Sequence, residues 1–168
     1  ENVLGEVGWG FKLATEWIGE GRILIPAMAV GQAQRLLEMA LDYARQRVAF
    51  GQPIAEYQAI QWMLADSNVE IEQAKWLVLH AAWKADHGHD VRHEASMAKL
   101  AGAQMAGRVV DRVMQIHGGM GYTKEMPIER LMRDMRVYRI YEGTDEIQKR
   151  SIARNLLKGY AQVVAWDR

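Results

Sequence analysis

Only three prolines interrupt this chain of 168 residues, at Pro26, Pro53 and Pro127, and long stretches hold neither proline nor clustered glycine. Proline removes a backbone donor and glycine loosens the helical backbone, so breaks this widely spaced make helix the economical reading. From Ile23 the apolar residues Val30, Leu37, Leu41, Ala44 and Val48 recur at helical spacing, until Gly51 and Pro53 stop the run. A second helix is predicted from about Ala55 into the eighties, with Ile60, Leu64, Ile71, Val78 and Ala82 on one face. It ends in the polar stretch Asp86-His87-Gly88-His89-Asp90, where Asp90 suits the N-cap of the next helix.

A third helix, from about Val91 to Ile116, is rich in small residues: Ala95, Ala98, Ala101, Gly102, Ala103, Ala106 and Gly107. Small side chains let a neighbouring helix approach closely, and His117-Gly118-Gly119 closes the helix as glycine does at C-termini. Pro127 opens a short helical piece reaching about Tyr138. Thr144 then reads as the N-cap of a last helix, with Asp145 and Glu146 placed favourably against its dipole. Four substantial helices joined by short turns predict an all-α fold, an antiparallel up-and-down four-helix bundle. Residues 1–20, with Gly5, Gly8 and Gly10 among them, read as a linker from a preceding domain, and residues 21–168 as the bundle.

Composition removes several function classes. Twenty-one basic residues balance 21 acidic ones, without the basic excess of a nucleic-acid-binding protein. The absence of cysteine excludes disulfides, thiolate zinc sites and a cysteine nucleophile. Residues 1–12 lack the basic and apolar regions of a signal peptide. The longest apolar run, Ile23 to Val30, falls short of the ~18 residues a membrane span requires. His87, His89 and His93 lie in a polar stretch with Asp86 and Asp90, which reads as a solvated loop, and no metal site is assigned. The ten methionines read as core filling. A start at Glu1 instead of methionine suggests a fragment or a processed chain.

Three motifs carry possible chemistry. In Arg47-Val48-Ala49-Phe50-Gly51-Gln52-Pro53-Ile54, with Gln58 beyond, Arg47 can complement a helix dipole while Phe50 caps the core. Arg47 can equally donate to an anionic ligand such as phosphate. In Gln115-Ile116-His117-Gly118-Gly119-Met120-Gly121-Tyr122 the glycines expose backbone N–H groups, although the spacing is not that of a dinucleotide-binding strand–turn–helix. In Tyr141-Glu142-Gly143-Thr144 the carboxylate precedes a glycine and an N-cap, so Glu142 is either a turn residue or a general base. Upstream, Glu129/Arg133 and Arg130/Asp134 are spaced to pair on one helix face.

Together, in this order and on this helical frame, the motifs resemble the C-terminal domain of the acyl-CoA dehydrogenase family. The resemblance runs from Gly8-Trp9-Gly10-Phe11 to Tyr141-Glu142-Gly143-Thr144 and covers nearly the whole chain. It implies a flavoenzyme that oxidises the Cα–Cβ bond of an acyl-CoA thioester, the α-proton going to a base and the β-hydride to FAD. By this resemblance Glu142 stands at the catalytic base, and the Gly143 N–H faces the enolate oxygen. Arg22 and Arg154 match positions near the substrate, while Arg47, Gln58, Gln115, Gly118, Gly119, Thr144 and Glu146 match the FAD site. The adenosine diphosphate contacts of such enzymes commonly come from a neighbouring subunit.

Some relatives carry the base on the residue before the arginine that matches Arg22; here that residue is Gly21, which cannot accept a proton. Three further departures are Gly19, where relatives often have an acid, Ala49, where they have Thr or Ser, and Glu146, where they have Gln. His117, where relatives often have an apolar residue, is assigned no chemistry. The expected partners are acyl-CoA, an electron-transfer flavoprotein and further copies of the chain, as a dimer or tetramer, with neither nucleic acid nor membrane. The expected compartment is the cytoplasm in a bacterium and the mitochondrial matrix in a eukaryote. Family members carry two further domains before this bundle, so the chain by itself is expected to have little or no activity. Two other readings stay open: a related acyl-CoA oxidase, and a non-enzymatic helical assembly module, for which Trp62, Trp76 and Trp83 supply contact surface.

Overall fold

The computed structural model describes residues 2–161. Its three long helices are α1 (Gly10–Gln46), α2 (Gln58–Asp86) and α3 (Arg92–His117). A single turn, α4 (Gly119–Tyr122), and the short α5 (Ile128–Arg136) lead to α6 (Asp145–Leu157). Helices α1, α2 and α3 pack against one another, and the shorter α5 and α6 each lie against α3. Strand pairing among the described residues is confined to a two-rung antiparallel hairpin, Val48–Ala49 with Gln52–Pro53. No helix among them is long and apolar enough to cross a membrane.

Periodicity located the helices and misjudged several ends. The first helix begins at Gly10, well ahead of Ile23, so the boundary placed between residues 20 and 21 falls inside α1. Phe11, Leu13 and Trp17 in this added stretch are exposed, and apolar periodicity reports only helix that is buried. The helix ends at Gln46, before Gly51 and Pro53, which belong to the hairpin. Phe50 does not cap the core: it sits at the hairpin tip, 99% exposed and at φ 52°. Val48 is likewise exposed. The N-cap of α3 is Val91, while Asp90 accepts from the Arg92 N–H at 3.1 Å. Helix α5 ends at Arg136, and Val137–Arg139 tightens into a 3-10 turn.

Small residues let α1 and α3 pack closely. Ala29, Ala33, Leu36, Ala40 and Ala44 of α1 meet Ala103, Ala106, Val109 and Val113 of α3 in one core that also holds Ile71 and Ala74 of α2. The tightest approach is at Gly102, where a Cβ would lie 2.6 Å from the Cβ of buried Pro26. Pro26 has no N–H to offer the carbonyl of Arg22 one turn back, so α1 is altered at the level where it meets Gly102. Between α2 and α3, Glu70 accepts from Arg108 and Arg112 at 2.8 Å each. Burial alone would raise the Glu70 carboxyl, but the hydrogen bonds and charges of Arg112 and Arg108 prevail and hold it below its ordinary value. Met105 and Met135 fill the core, whereas Met28, Met120 and Met132 are exposed. Trp62, Trp76 and Trp83 form an exposed stripe along α2.

Candidate active site

The turn before α6 is built around two left-handed residues in succession, Glu142 at φ 54° and Gly143 at φ 92°. Gly143 suits such a conformation; for Glu142 it is unfavourable by about 1–2 kcal/mol and must be held by its surroundings. On the upstream side Tyr138 donates to Gln32 of α1 at 2.8 Å and its ring stacks on Tyr141. Downstream, Thr144 caps α6 by accepting from the Ile147 N–H at 3.4 Å. Glu146 is engaged at the same helix start, its carboxyl held below its ordinary value first by its own backbone N–H and then by the Thr144 hydroxyl.

The turn's carbonyls are hydrogen-bonded from three elements. The Glu142 carbonyl accepts from Gln148 Nε2 at 3.1 Å and from Arg22 Nε at 3.4 Å. The Gly143 carbonyl accepts from Lys99 Nζ at 2.7 Å and from Gln148 Nε2 at 3.0 Å. Among the described residues the N–H groups of Glu142 and Gly143 donate to nothing. Beyond the turn, the buried Asp145 carboxylate accepts from Arg139 at 2.9 Å and from Gln104 at 3.3 Å.

The Glu142 carboxylate lies over Gly21. A Cβ on that glycine would sit 3.2 Å from Glu142 Cδ and 3.3 Å from its Oε2. Oε2 is buried and has no hydrogen-bond partner. Positions 21 and 142 therefore converge in space, and the absence of a side chain at Gly21 leaves room for Glu142. Burial lowers the pKa of Arg22, against the opposing pull of Glu142. Burial likewise lowers that of Lys99, mainly against Asp145. A carboxylate with one oxygen out of water, beside two cations and two unpaired N–H groups, has the equipment to take a proton and to stabilise the resulting negative oxygen.

The other candidate residues divide between the two ends of the bundle. Thr144 and Glu146 flank the turn, and Arg154 is exposed in the last turn of α6. Arg47, Gly118 and Gly119 line a separate cleft of about 440 Å³ with Tyr43 and His117. Gln58 and Gln115 are exposed at that end without lining the cleft. Along α1, Arg22 and Arg47 are separated by about 37 Å at the helical rise per residue.

The arrangement fits a nucleotide phosphate at the Arg47 end. Gly118 and Gly119 have open space where a Cβ would stand, so a ligand can reach their backbone beside an exposed guanidinium. Residues 8–157 match the family described as acyl-CoA dehydrogenase, C-terminal domain. The chain belongs to the acyl-CoA dehydrogenase family. It is 49% identical over 157 residues to the probable acyl-CoA dehydrogenase YngJ of Bacillus subtilis, covering 94% of this chain and 41% of that protein. It is 46% identical over 160 residues to the human mitochondrial short-chain specific acyl-CoA dehydrogenase, covering 95% of this chain and 39% of that one. The solved butyryl-CoA dehydrogenase of Megasphaera elsdenii superimposes with a TM-score of 0.89 at 42% identity, over 93% of this chain and 41% of that chain. The chain thus spans about two fifths of its acyl-CoA dehydrogenase relatives, and it has the all-α fold expected of their C-terminal domain.

Two residues that hold the turn, Lys99 and Gln148, escaped the sequence reading. Both are fully buried. Lys99 had a signal available: it lies four residues after Ala95 and three before Gly102, a cation on the small-residue face of α3. Gln148 gives no comparable sign among the polar residues of α6.

Proposed function

We propose that this domain supplies the base and part of the cofactor site of a flavin-dependent enzyme that oxidises the Cα–Cβ bond of an acyl-CoA thioester. The observation that carries the reading is the Glu142 carboxylate, partly desolvated over Gly21 and beside N–H groups with no internal partner. Glu142 removes the α-proton, which the adjacent thioester carbonyl has made acidic. Gly143 N–H donates to the developing enolate oxygen, and Arg22 and Arg154 contribute positive charge toward the acyl-CoA. FAD, when bound, accepts the β-hydride. Arg47, Gln58, Gln115, Gly118 and Gly119 would hold its adenosine diphosphate half, and Thr144 and Glu146 would approach it beside the base.

The Arg47 end lies about 37 Å along α1 from Arg22, whose side chain reaches the Glu142 turn, and this separation supports a homo-oligomer in which each cofactor draws on two copies. A dimer or tetramer meets this requirement. A relative from Acetobacterium woodii is named caffeyl-CoA reductase-Etf complex subunit CarC, and another from Clostridium sporogenes 3-(aryl)acrylate reductase. The first of these names supports an electron-transferring flavoprotein as redox partner. A bacterial cytoplasm or a mitochondrial matrix would house the reaction.

The test is anaerobic stopped-flow reduction of the flavin by saturating acyl-CoA, in the complete enzyme that carries this domain. Glu142→Gln preserves shape and cannot accept the proton, so the reduction rate is expected to fall by about 10²–10⁴-fold. Arg47→Ala is expected to weaken FAD retention instead. Equal reduction rates for wild type and Glu142→Gln would make Glu142 a turn residue and overturn the reading.

A further inference from the structure

We propose that Lys99 is a positioning residue for Glu142, acting with Gln148 to hold the 142–143 backbone in the one conformation that places the carboxylate over Gly21. The inference rests on the reading of Glu142 as the base. Among the described residues no hydrogen bond reaches either Glu142 side-chain oxygen, and Oε2 is buried without a partner. With no hydrogen bond of its own, the carboxylate depends for its place on the backbone that carries it and on the charge of Arg22.

That backbone is not self-supporting. Two left-handed residues in succession, one of them not glycine, persist only where their surroundings over-determine them. The shortest contact on the turn is the charge-assisted bond from Lys99 Nζ to the Gly143 carbonyl, at 2.7 Å. Gln148 Nε2 spans both carbonyls, at 3.1 and 3.0 Å. Arg22 adds a longer contact to the first of them, at 3.4 Å.

Lys99 is 0% exposed, and a buried ammonium is unfavourable unless its donors are used. Its neighbours on the buried face of α3 are Ala95, Ala98, Gly102 and Ala103. Packing alone would call for an apolar residue at position 99. What the ammonium adds is a donor that reaches across to the turn. The crossing of α1 and α3 at Pro26 and Gly102 lies one turn beyond both Arg22 and Lys99, so the same close approach brings both cations to the turn.

The test uses the complete flavin-loaded enzyme and four chains: wild type, Lys99→Met, Glu142→Gln and the double variant. Methionine keeps much of the length of lysine and removes the donor. If Lys99 works through Glu142, Lys99→Met lowers the reduction rate at saturating acyl-CoA by about 10-fold or more, since small misplacement of a reacting group is that costly. The half-saturating concentration should change less than about 3-fold, because a displaced base alters the proton-transfer step and leaves substrate contacts in place. In the Glu142→Gln background the same substitution should leave the residual rate within about 2-fold, since the interaction it disrupts is already idle.

A readout independent of turnover is amide hydrogen exchange. Lys99→Met should accelerate exchange in the peptide spanning residues 140–148 while leaving the core of α1 unchanged. Gln148→Met, which removes two donors from the same carbonyls, should reproduce both effects. Equal losses in the two backgrounds, unchanged exchange at 140–148, or failure of both Lys99→Met and Gln148→Met to fold would overturn the proposal and leave Lys99 a structural residue. Failure of the base reading shows itself separately, as an undiminished rate in Glu142→Gln alone.

Discussion

Replacing Gly102 by alanine tests the packing on which the site depends. The added Cβ would lie 2.6 Å from Pro26 Cβ, 3.1 Å from Pro26 Cα and 3.6 Å from the Pro26 carbonyl oxygen. Carbon atoms in contact rest about 3.5–4.0 Å apart, so the first distance is short by about 1 Å. The obstructing atoms belong to a proline ring and its backbone, which cannot rotate away, so α1 and α3 must separate. Such overpacking is unfavourable by about 1–3 kcal/mol. Alanine recovers about 0.8–1.0 kcal/mol in helix propensity over glycine. With a rigid obstruction the upper part of the range applies, leaving a net loss of about 2 kcal/mol. For a domain of this size that lowers the melting temperature by about 4–8 °C.

Gly107, five residues further along the same helix, is the control, because a Cβ there meets nothing within 4 Å. Gly107→Ala should raise the melting temperature by about 2–4 °C, from helix propensity alone. Thermal unfolding of the three chains followed by far-ultraviolet circular dichroism gives the comparison. If Gly102→Ala melts with Gly107→Ala, the helices do not meet as closely as described and the reasoning fails.

His117 and Thr144 give two further predictions. His117 is buried, its Nδ1 lies 2.8 Å from the Val113 carbonyl, and its ring stacks on Tyr43. Burial lowers its pKa, with the Val113 hydrogen bond opposing, so the unfolded chain binds the proton more readily than the folded one. Stability should therefore fall as pH drops through the ordinary histidine value of about 6.5 and level off below the folded value. Urea midpoints should fall between about pH 7.5 and 5.5, and less so in His117→Phe; an equal slope in both chains would contradict this. Thr144→Ala should lower stability by about 0.5–1 kcal/mol, the low end for an N-cap because the bond is long at 3.4 Å, while Thr144→Ser should keep most of it. Urea titration of the three chains measures the difference.

The sequence by itself determined the helices and the order of the family's motifs along them. Val30, Leu37, Ile71 and Val78 recur at helical spacing because each faces the core, and Thr144 announces the start of α6 because a hydroxyl there meets a free N–H. Both signals are local, carried by spacing or by one side chain and its nearest backbone. The motifs around Arg47, Gln115 and Glu142 were legible for a different reason, their joint resemblance to one family. What lies outside local reach went unread. Residues 10–22 are helical although little of their apolar surface is buried, and Phe50 points to solvent although it is apolar. The tertiary structure alone decided that Gly21, 121 residues before Glu142, would make space for its carboxylate, and that Lys99 and Gln148 would hold its turn. Those contacts arise because α1 and α3 cross at Pro26 and Gly102, and the depth of a crossing between two helices is a property of both surfaces together, which no window along either one contains.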